Sequence, residues 1–261
     1  MRARLHAKTA PAAMPEMSSW AESPRELAIA SDEIHVWRAR LDCEAPILRQ
    51  FEATLAADEQ DRARRFHFER DRDSYIATRG LLRELLARYV GRAPAKIEFE
   101  YSALGKPSLR ATHSDEPIRF NVSHSHGMAL FAFAIDRSVG VDVELLRPDF
   151  GGMEIAERFF SRQEVEELRS LPGSLQGEGF FLCWTRKEAY VKARGEGLHI
   201  PLDSFHVSLT PGQPEKLSSA DSARWSLRSL RPDPKYAGAL VAEAGEWHLR
   251  LLDWSANEVL T

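Results

Sequence analysis

The chain has 261 residues, of which 43% are hydrophobic and 28% charged, a composition that fits one large folded domain or two modest ones and excludes a disordered polymer. No apolar run approaches the roughly 20 residues of a transmembrane helix, and a formal net charge of −4 offers no global attraction for nucleic acid, so any anion site has to be local. Cys43 and Cys183, in neither CxxC nor zinc spacing, argue against a disulfide framework or a thiolate metal site and fit a reducing cytoplasm.

Residues 1–30 are rich in Ala, Pro and Ser, lack the apolar core of a secretory signal, and carry Pro11 and Pro15 where an amphipathic helix would run. They are expected to form a disordered tail. "EIHVWRARL" alternates as a strand, and residues 58–70 are a densely charged helical region. Apolar spacings of three and four then predict a helix from Tyr75 to Val90, stopped by Gly91. "KIEFEY", "RFNVSHS" and "MALFAFAI" are three strand candidates.

The pattern then restarts. "VGVDVELL" is a strand, Ser161 with Glu164 is a capping box for a short helix, and "FFLCWTRKEAYVKARGEG" is a longer helix ended by Gly195 or Gly197. "FHVSLT", "ARWSLRSL" and "YAGALVAEA" follow as strands, with "EWHLRLLDW" as an added terminal strand. Strand, two helices, three strands thus occurs twice. The expected fold is α/β (α+β), a tandem of two similar α/β subdomains at residues 31–137 and 138–261, with the ligand site in the cleft between them.

Asp142 and Glu144, two apart in a strand, point to one face, while Val141, Val143 and Leu145 point to the other. Neighbouring carboxylates repel and need a cation or basic partners unless that face is simply solvated. Magnesium commonly takes one or two carboxylates, waters and substrate phosphates. Glu188 would supply a third oxygen, and Lys192, one helical turn beyond, would hold a phosphate oxygen as a point charge; the plain alternative is an exposed i,i+4 ion pair.

"FNVSHSHG" places Ser123 and His124 at a strand end, suited to contact a diphosphate. A hydrogen-bonded structural His124 and a transition-metal pair with His126 are the competing readings, and the pair lacks an evident third ligand nearby. Lys106 stands in a Gly and Pro turn. Arg62, Arg64, Arg65, Arg70, Arg72 and Arg79 form the chain's basic concentration, balanced by neighbouring acids.

Taken in order, "GKP", "FNVSHS", "GVDVE" and "WTRKEAYVKARGEGL" resemble the phosphopantetheinyl transferases of the surfactin-synthetase type, over about residues 58–210. The resemblance implies a pseudo-twofold fold of two α/β halves. It implies transfer of 4'-phosphopantetheine from coenzyme A to a serine of an apo acyl or peptidyl carrier protein, with magnesium as cofactor and adenosine 3',5'-bisphosphate released. Asp142 and Glu144 match the family's acidic strand pair, Glu188 the helix glutamate completing the metal site, and Lys192 its companion near the transferred phosphate. Ser123 and His124 match the diphosphate-binding pair, and Lys106 and Pro107 the turn along the adenine end. Arg62, or Arg79 on the following helix, falls where the family binds the 3'-phosphate.

By that resemblance the catalytic residues are Glu188, Lys192 and His124, with Glu188 removing the serine proton directly or through water, in a cytoplasmic monomer with no nucleic-acid or membrane partner. Two other classes stay open. Acids followed by Glu and Lys on a helix are also similar to the sets of magnesium-dependent nucleases or phosphohydrolases, and a non-catalytic coenzyme A or carrier-binding module would keep the fold without turnover.

Overall fold

The computed structural model of the chain describes residues 19–24, 26–110, 117–147 and 150–255. Residues 1–18 of the expected tail lie outside the described residues. The first half runs β1 (Ala21–Glu22), β2 (Glu33–Arg40), α1 (Ala45–Thr54), α2 (Ala57–Arg64), α3 (Glu69–Val90), β3 (Phe99–Tyr101), β4 (Pro107–Leu109), β5 (Ile118–Ser125) and β6 (Met128–Ile135). The second runs β7 (Val139–Leu145), α4 (Met153–Phe159), α5 (Arg162–Ser170), α6 (Gly173–Arg194), β8 (His206–Val207), β9 (Leu217–Ser218), β10 (Trp225–Leu230), β11 (Tyr236–Glu243) and β12 (His248–Asp253).

From β2 and again from β7 the chain follows one plan: strand, three helices, a short hairpin, two long strands. Each repeat holds one helix and one strand more than the sequence pattern counted. Within the repeats the pairings also match, since β6 lies antiparallel between β2 and β5 just as β11 lies antiparallel between β7 and β10. The long helices α3 and α6 are each 22 residues. The expected tandem of similar α/β units is therefore the architecture observed.

Strand alternation builds the layers. In β6, Ala129, Phe131 and Phe133 face a core shared with Leu81 and Leu85 of α3, whereas Leu130, Ala132 and Ala134 face a second core. That second core also takes Ile34 and Val36 of β2, Val139, Val141 and Val143 of β7, and Leu240 of β11, so it joins the two sheets. The opposite face of β11, Ala237, Ala239 and Val241, packs with Phe181, Ala189 and Ala193 of α6. A strand buried on both faces is a continuous apolar run, which is why "MALFAFAI" shows no polar alternation.

Three boundaries differ from expectation. The long helices begin before their apolar periodicity does: α3 starts at Glu69, with Glu69 and Asp71 in a first turn that favours acids, and α6 starts at Gly173 just after Pro172. Ala21–Glu22, assigned above to the disordered tail, instead pairs in parallel with β12. β12 itself does not extend the second half; it enters the first sheet beside β2, in parallel, where Leu252 joins the α3 core and Leu251 the core between sheets. A parallel partner distant in sequence leaves no hairpin signal to read.

One glycine sets the position of the second sheet against its helix. A Cβ on Gly140 would lie 2.2 Å from both the Ala189 oxygen and the Ala193 nitrogen, backbone atoms of α6 that cannot turn aside. Gly140→Ala is expected to destabilise the protein by about 1–3 kcal/mol through overpacking. Because β7 and α6 carry the acids and lysine singled out above, any activity that depends on their placement should fall with it. Denaturant titration checks the first effect, and an unchanged midpoint would refute the close approach.

Candidate active site

Close packing at Gly140 brings the polar face of β7 against α6, while the neighbouring edge of β5 reaches the same place. Asn121 of β5 accepts a hydrogen bond from the Val141 amide at 2.9 Å. Two residues on, the Ser123 hydroxyl donates to Asp142 Oδ1 at 2.7 Å, and two further on, Ser125 donates to Glu144 Oε2 at 2.6 Å. Two serines spaced by two thus meet two acids spaced by two. That match of spacings was present in the sequence and identifies Ser125, which the sequence analysis did not single out.

Lys192 completes the arrangement from α6. Its Nζ lies 2.6 Å from Asp142 Oδ1 and 2.9 Å from Ser123 Oγ, with the Val141 carbonyl at 3.3 Å. Asp142 is only 4% exposed, and its second oxygen, Oδ2, is buried with no hydrogen-bond partner. Burial pushes the Glu188 carboxyl above the ordinary glutamate value, and the charges of Asp142 and Glu144 push it further. Glu144 is raised in the same way, by burial first and then by Asp142, against the pull of the Ser125 bond. Glu144 and Glu188 therefore both respond to the charge of Asp142.

His124, beside this group on β5, is held below the usual histidine range by desolvation first and by the Lys192 charge second. A cleft of about 1200 Å3 adjoins this group through Glu144, and its lining includes Arg62, Phe66, Tyr75, His124, Ser125 and His126 but not Asp142, Glu188 or Lys192. Glu144 is its contribution from the second half. Phe66, Tyr75 and His126 are lining residues that sequence reasoning did not assign to the site.

Of the remaining expected residues only Arg62 reaches the cleft. Arg62 is exposed at the cleft wall with its guanidinium 5.4 Å from the Tyr75 ring centroid. Arg79 instead ion-pairs with buried Glu59, donates to the Tyr101 hydroxyl at 2.6 Å and stacks 3.9 Å over Phe99. Pro107 opens β4. The Lys106 side chain turns inward, donating to the Lys192 carbonyl at 2.6 Å, with those of Val139 and Ala193 at 3.5 Å. It caps the carbonyl end of α6, where a cation complements the helix dipole.

That cap has a measurable pH signature. Desolvation, then the Arg119 charge, lowers the Lys106 ammonium to about 8. The unfolded chain binds this proton more tightly than the folded one, so folding stability should rise with pH from about 8 towards the free-lysine value near 10.5. Wild type should accordingly gain stability relative to Lys106→Met across that window. Parallel thermal melts between pH 8 and 10 test it; a constant difference would mean the ammonium is solvated.

Residues 138–242 match a family model described as the 4'-phosphopantetheinyl transferase superfamily, and residues 44–135 match one described as 4'-phosphopantetheinyl transferase, N-terminal. The chain is 40% identical over 229 residues to 4'-phosphopantetheinyl transferase HetI of Nostoc sp., covering 88% of this chain and 95% of that one. Against 4'-phosphopantetheinyl transferase Sfp of Bacillus subtilis it is 30% identical over 195 residues, covering 74% and 84%. Among solved structures, a holo-(acyl-carrier-protein) synthase from Bacillus anthracis is similar at 23% identity and a TM-score of 0.36, over 41% of this chain and 96% of that one.

Proposed function

The chain belongs to the 4'-phosphopantetheinyl transferase family, and from that premise we propose how its own residues carry the reaction. The enzyme moves the 4'-phosphopantetheine group of coenzyme A to a serine of an apo carrier protein, releasing adenosine 3',5'-bisphosphate. The observation that carries the assignment is the meeting of Asp142, Ser123 and Lys192 around one carboxylate oxygen, beside Glu144 and Glu188.

Magnesium fits these residues. The donors are hard oxygens, Asp142 Oδ2 is buried without a partner, and Glu144 and Glu188 are both raised by burial first and by the charge of Asp142 as well, which a divalent cation would offset. Among the described residues no three His, Cys, Asp or Glu side chains stand close enough together to hold a metal ion by themselves, and magnesium commonly takes one or two carboxylates with waters and substrate phosphates as its other ligands. Asp142, Glu144 and Glu188 would hold it. Bound there, it would neutralise charge on the coenzyme A diphosphate.

Lys192 is assigned to the transferring phosphate and Ser123 with His124 to the diphosphate. Neutral His124 offers an N–H donor without adding a second charge beside Lys192. Arg62, free of the Glu59 network that holds Arg79, takes the 3'-phosphate. Lys106 and Pro107 supply a backbone turn at the adenine end, the ammonium being committed to α6. Ligation lowers the basicity of a carboxylate, so Glu188 is assigned first to the metal and, directly or through a water, to the serine proton.

The same reading gives a cytoplasmic monomer whose halves divide between residues 137 and 138. Among the described residues no helix is long and apolar enough to cross a membrane. The test is mass spectrometry of several apo carriers incubated with the protein, coenzyme A, and magnesium or a chelator. One carrier should gain the phosphopantetheine mass only with the metal. Unmodified carriers throughout, with cleavage of a plasmid under the same conditions, would favour the nuclease reading.

A further inference from the structure

The C-terminal end of an α-helix leaves its last carbonyls without intrahelical partners. In α6 those carbonyls stand directly behind the site, because Lys192 lies in the last turn, just before the left-handed Gly195. The Gly195 amide takes the Val191 carbonyl at 3.1 Å. The next two, on Lys192 and Ala193, are met from the first half of the chain by the Lys106 ammonium, at 2.6 and 3.5 Å, and the same nitrogen reaches the Val139 carbonyl of β7 at 3.5 Å. Three donors on one nitrogen thus face three carbonyls.

The turn that presents Lys106 is itself fixed. Ser102 donates its amide to the Lys106 carbonyl at 3.0 Å, the Ser102 hydroxyl oxygen accepts from the Lys106 amide at 3.1 Å, and left-handed Gly105, at φ of 79°, donates to the Ser102 carbonyl at 2.9 Å. Glycine at position 195 leaves room for the lysine stem, since a Cβ there would lie 3.3 Å from Lys106 Cδ. The bonds of the two lysines interlock across β7. Lys192 Nζ reaches the Val141 carbonyl, Lys106 Nζ reaches the Val139 carbonyl on the same strand, and the Lys192 main chain is what Lys106 holds. A second lysine therefore sets where the backbone of Lys192 sits relative to the strand that bears Asp142.

We propose that Lys106 is a positioning residue for the transfer, fixing the Lys192 backbone against β7 so that the Lys192 ammonium meets Asp142 Oδ1 and Ser123 Oγ. The inference rests on the reaction assigned above, and it differs from a lysine that binds coenzyme A through its side chain. An ammonium whose three protons go to three carbonyls has none left for a phosphate. Its effect on the reaction passes through Lys192, whose Nζ lies 2.6 Å from Asp142 and 2.9 Å from Ser123. Displacing such a group by about 1 Å can cost up to about 10²-fold in rate.

The test is carrier modification by wild type, Lys106→Met, Lys192→Met and the double variant at neutral pH, with rates scaled to the folded fraction. Lys106→Met should lower kcat by about 10-fold, with the Kd for coenzyme A by calorimetry within about twofold of wild type. In the Lys192→Met background the same change should cost less than about twofold, since the group it positions is gone. Lys106→Gln, which keeps an N–H donor, should lose less than Lys106→Met, and it takes that variant's place in the cycle if methionine prevents folding. Wild-type kcat in Lys106→Met, a defect confined to coenzyme A affinity, or an equal loss with and without Lys192 would each overturn the proposal. Absence of transfer by wild type would instead overturn the underlying reaction.

Discussion

Asp142→Asn is expected to lower carrier modification by about 10³-fold while leaving the protein folded. Asp142 Oδ1 accepts from both Ser123 and Lys192, so a single oxygen positions the hydroxyl and the ammonium together. Asparagine keeps one carbonyl oxygen but loses the charge, and its amide would replace Oδ2, the buried oxygen that lacks a partner and is offered to the cation. Folding should survive because Lys192 is 27% exposed and retains the Ser123 hydroxyl and the Val141 carbonyl. Combining the change with Lys192→Met should cost far less than the sum of the two, as for groups acting as one unit. Single-turnover rates for the four proteins give that coupling, and an Asp142→Asn rate within threefold of wild type would remove Asp142 from the site.

The face of β7 that holds the acids was legible because a strand's period of two is strict: Val141 and Val143 enter the core between sheets, and Asp142 turns to α6. Where α6 ends was equally legible, at Gly195 with φ of 73°. Other features were decided by contacts that periodicity does not encode. "FHVSLT" forms only the two-residue strand His206–Val207, since its partner Leu217–Ser218 is equally short. Lys106 and Arg79 sit in stretches that suggest exposed cations, yet one caps α6 and the other joins a buried acid, partners 86 and 20 residues away in the chain. His126 was visible as half of a histidine pair; only the hairpin register shows that its ring meets Ser125 instead.

Lys187→Met should produce the converse of the Asp142 result, a loss of about 3–5 kcal/mol in folding stability with near-normal turnover in the fraction that stays folded. Lys187 and Glu164 are both fully buried and ion-paired at 2.8 Å. The ammonium also donates to the Leu202 and Phe205 carbonyls at 2.7 Å each, and the carboxylate accepts from the Ser161 and Val207 amides at 2.7 Å each. Methionine fills similar volume but leaves a buried carboxylate without its counter-charge and two carbonyls without donors, the situation in which breaking a buried pair is most costly. The pair anchors α6 to Glu164 of α5 and to the Leu202 and Phe205 carbonyls, whereas Lys192 meets Asp142 of β7, so Glu188 and Lys192 should keep their places once the helix is docked. Urea titration at low temperature measures the stability, and burst rates scaled to the folded fraction measure turnover. A stability loss under about 1 kcal/mol would mean that the apolar contacts of α6 hold it without the pair.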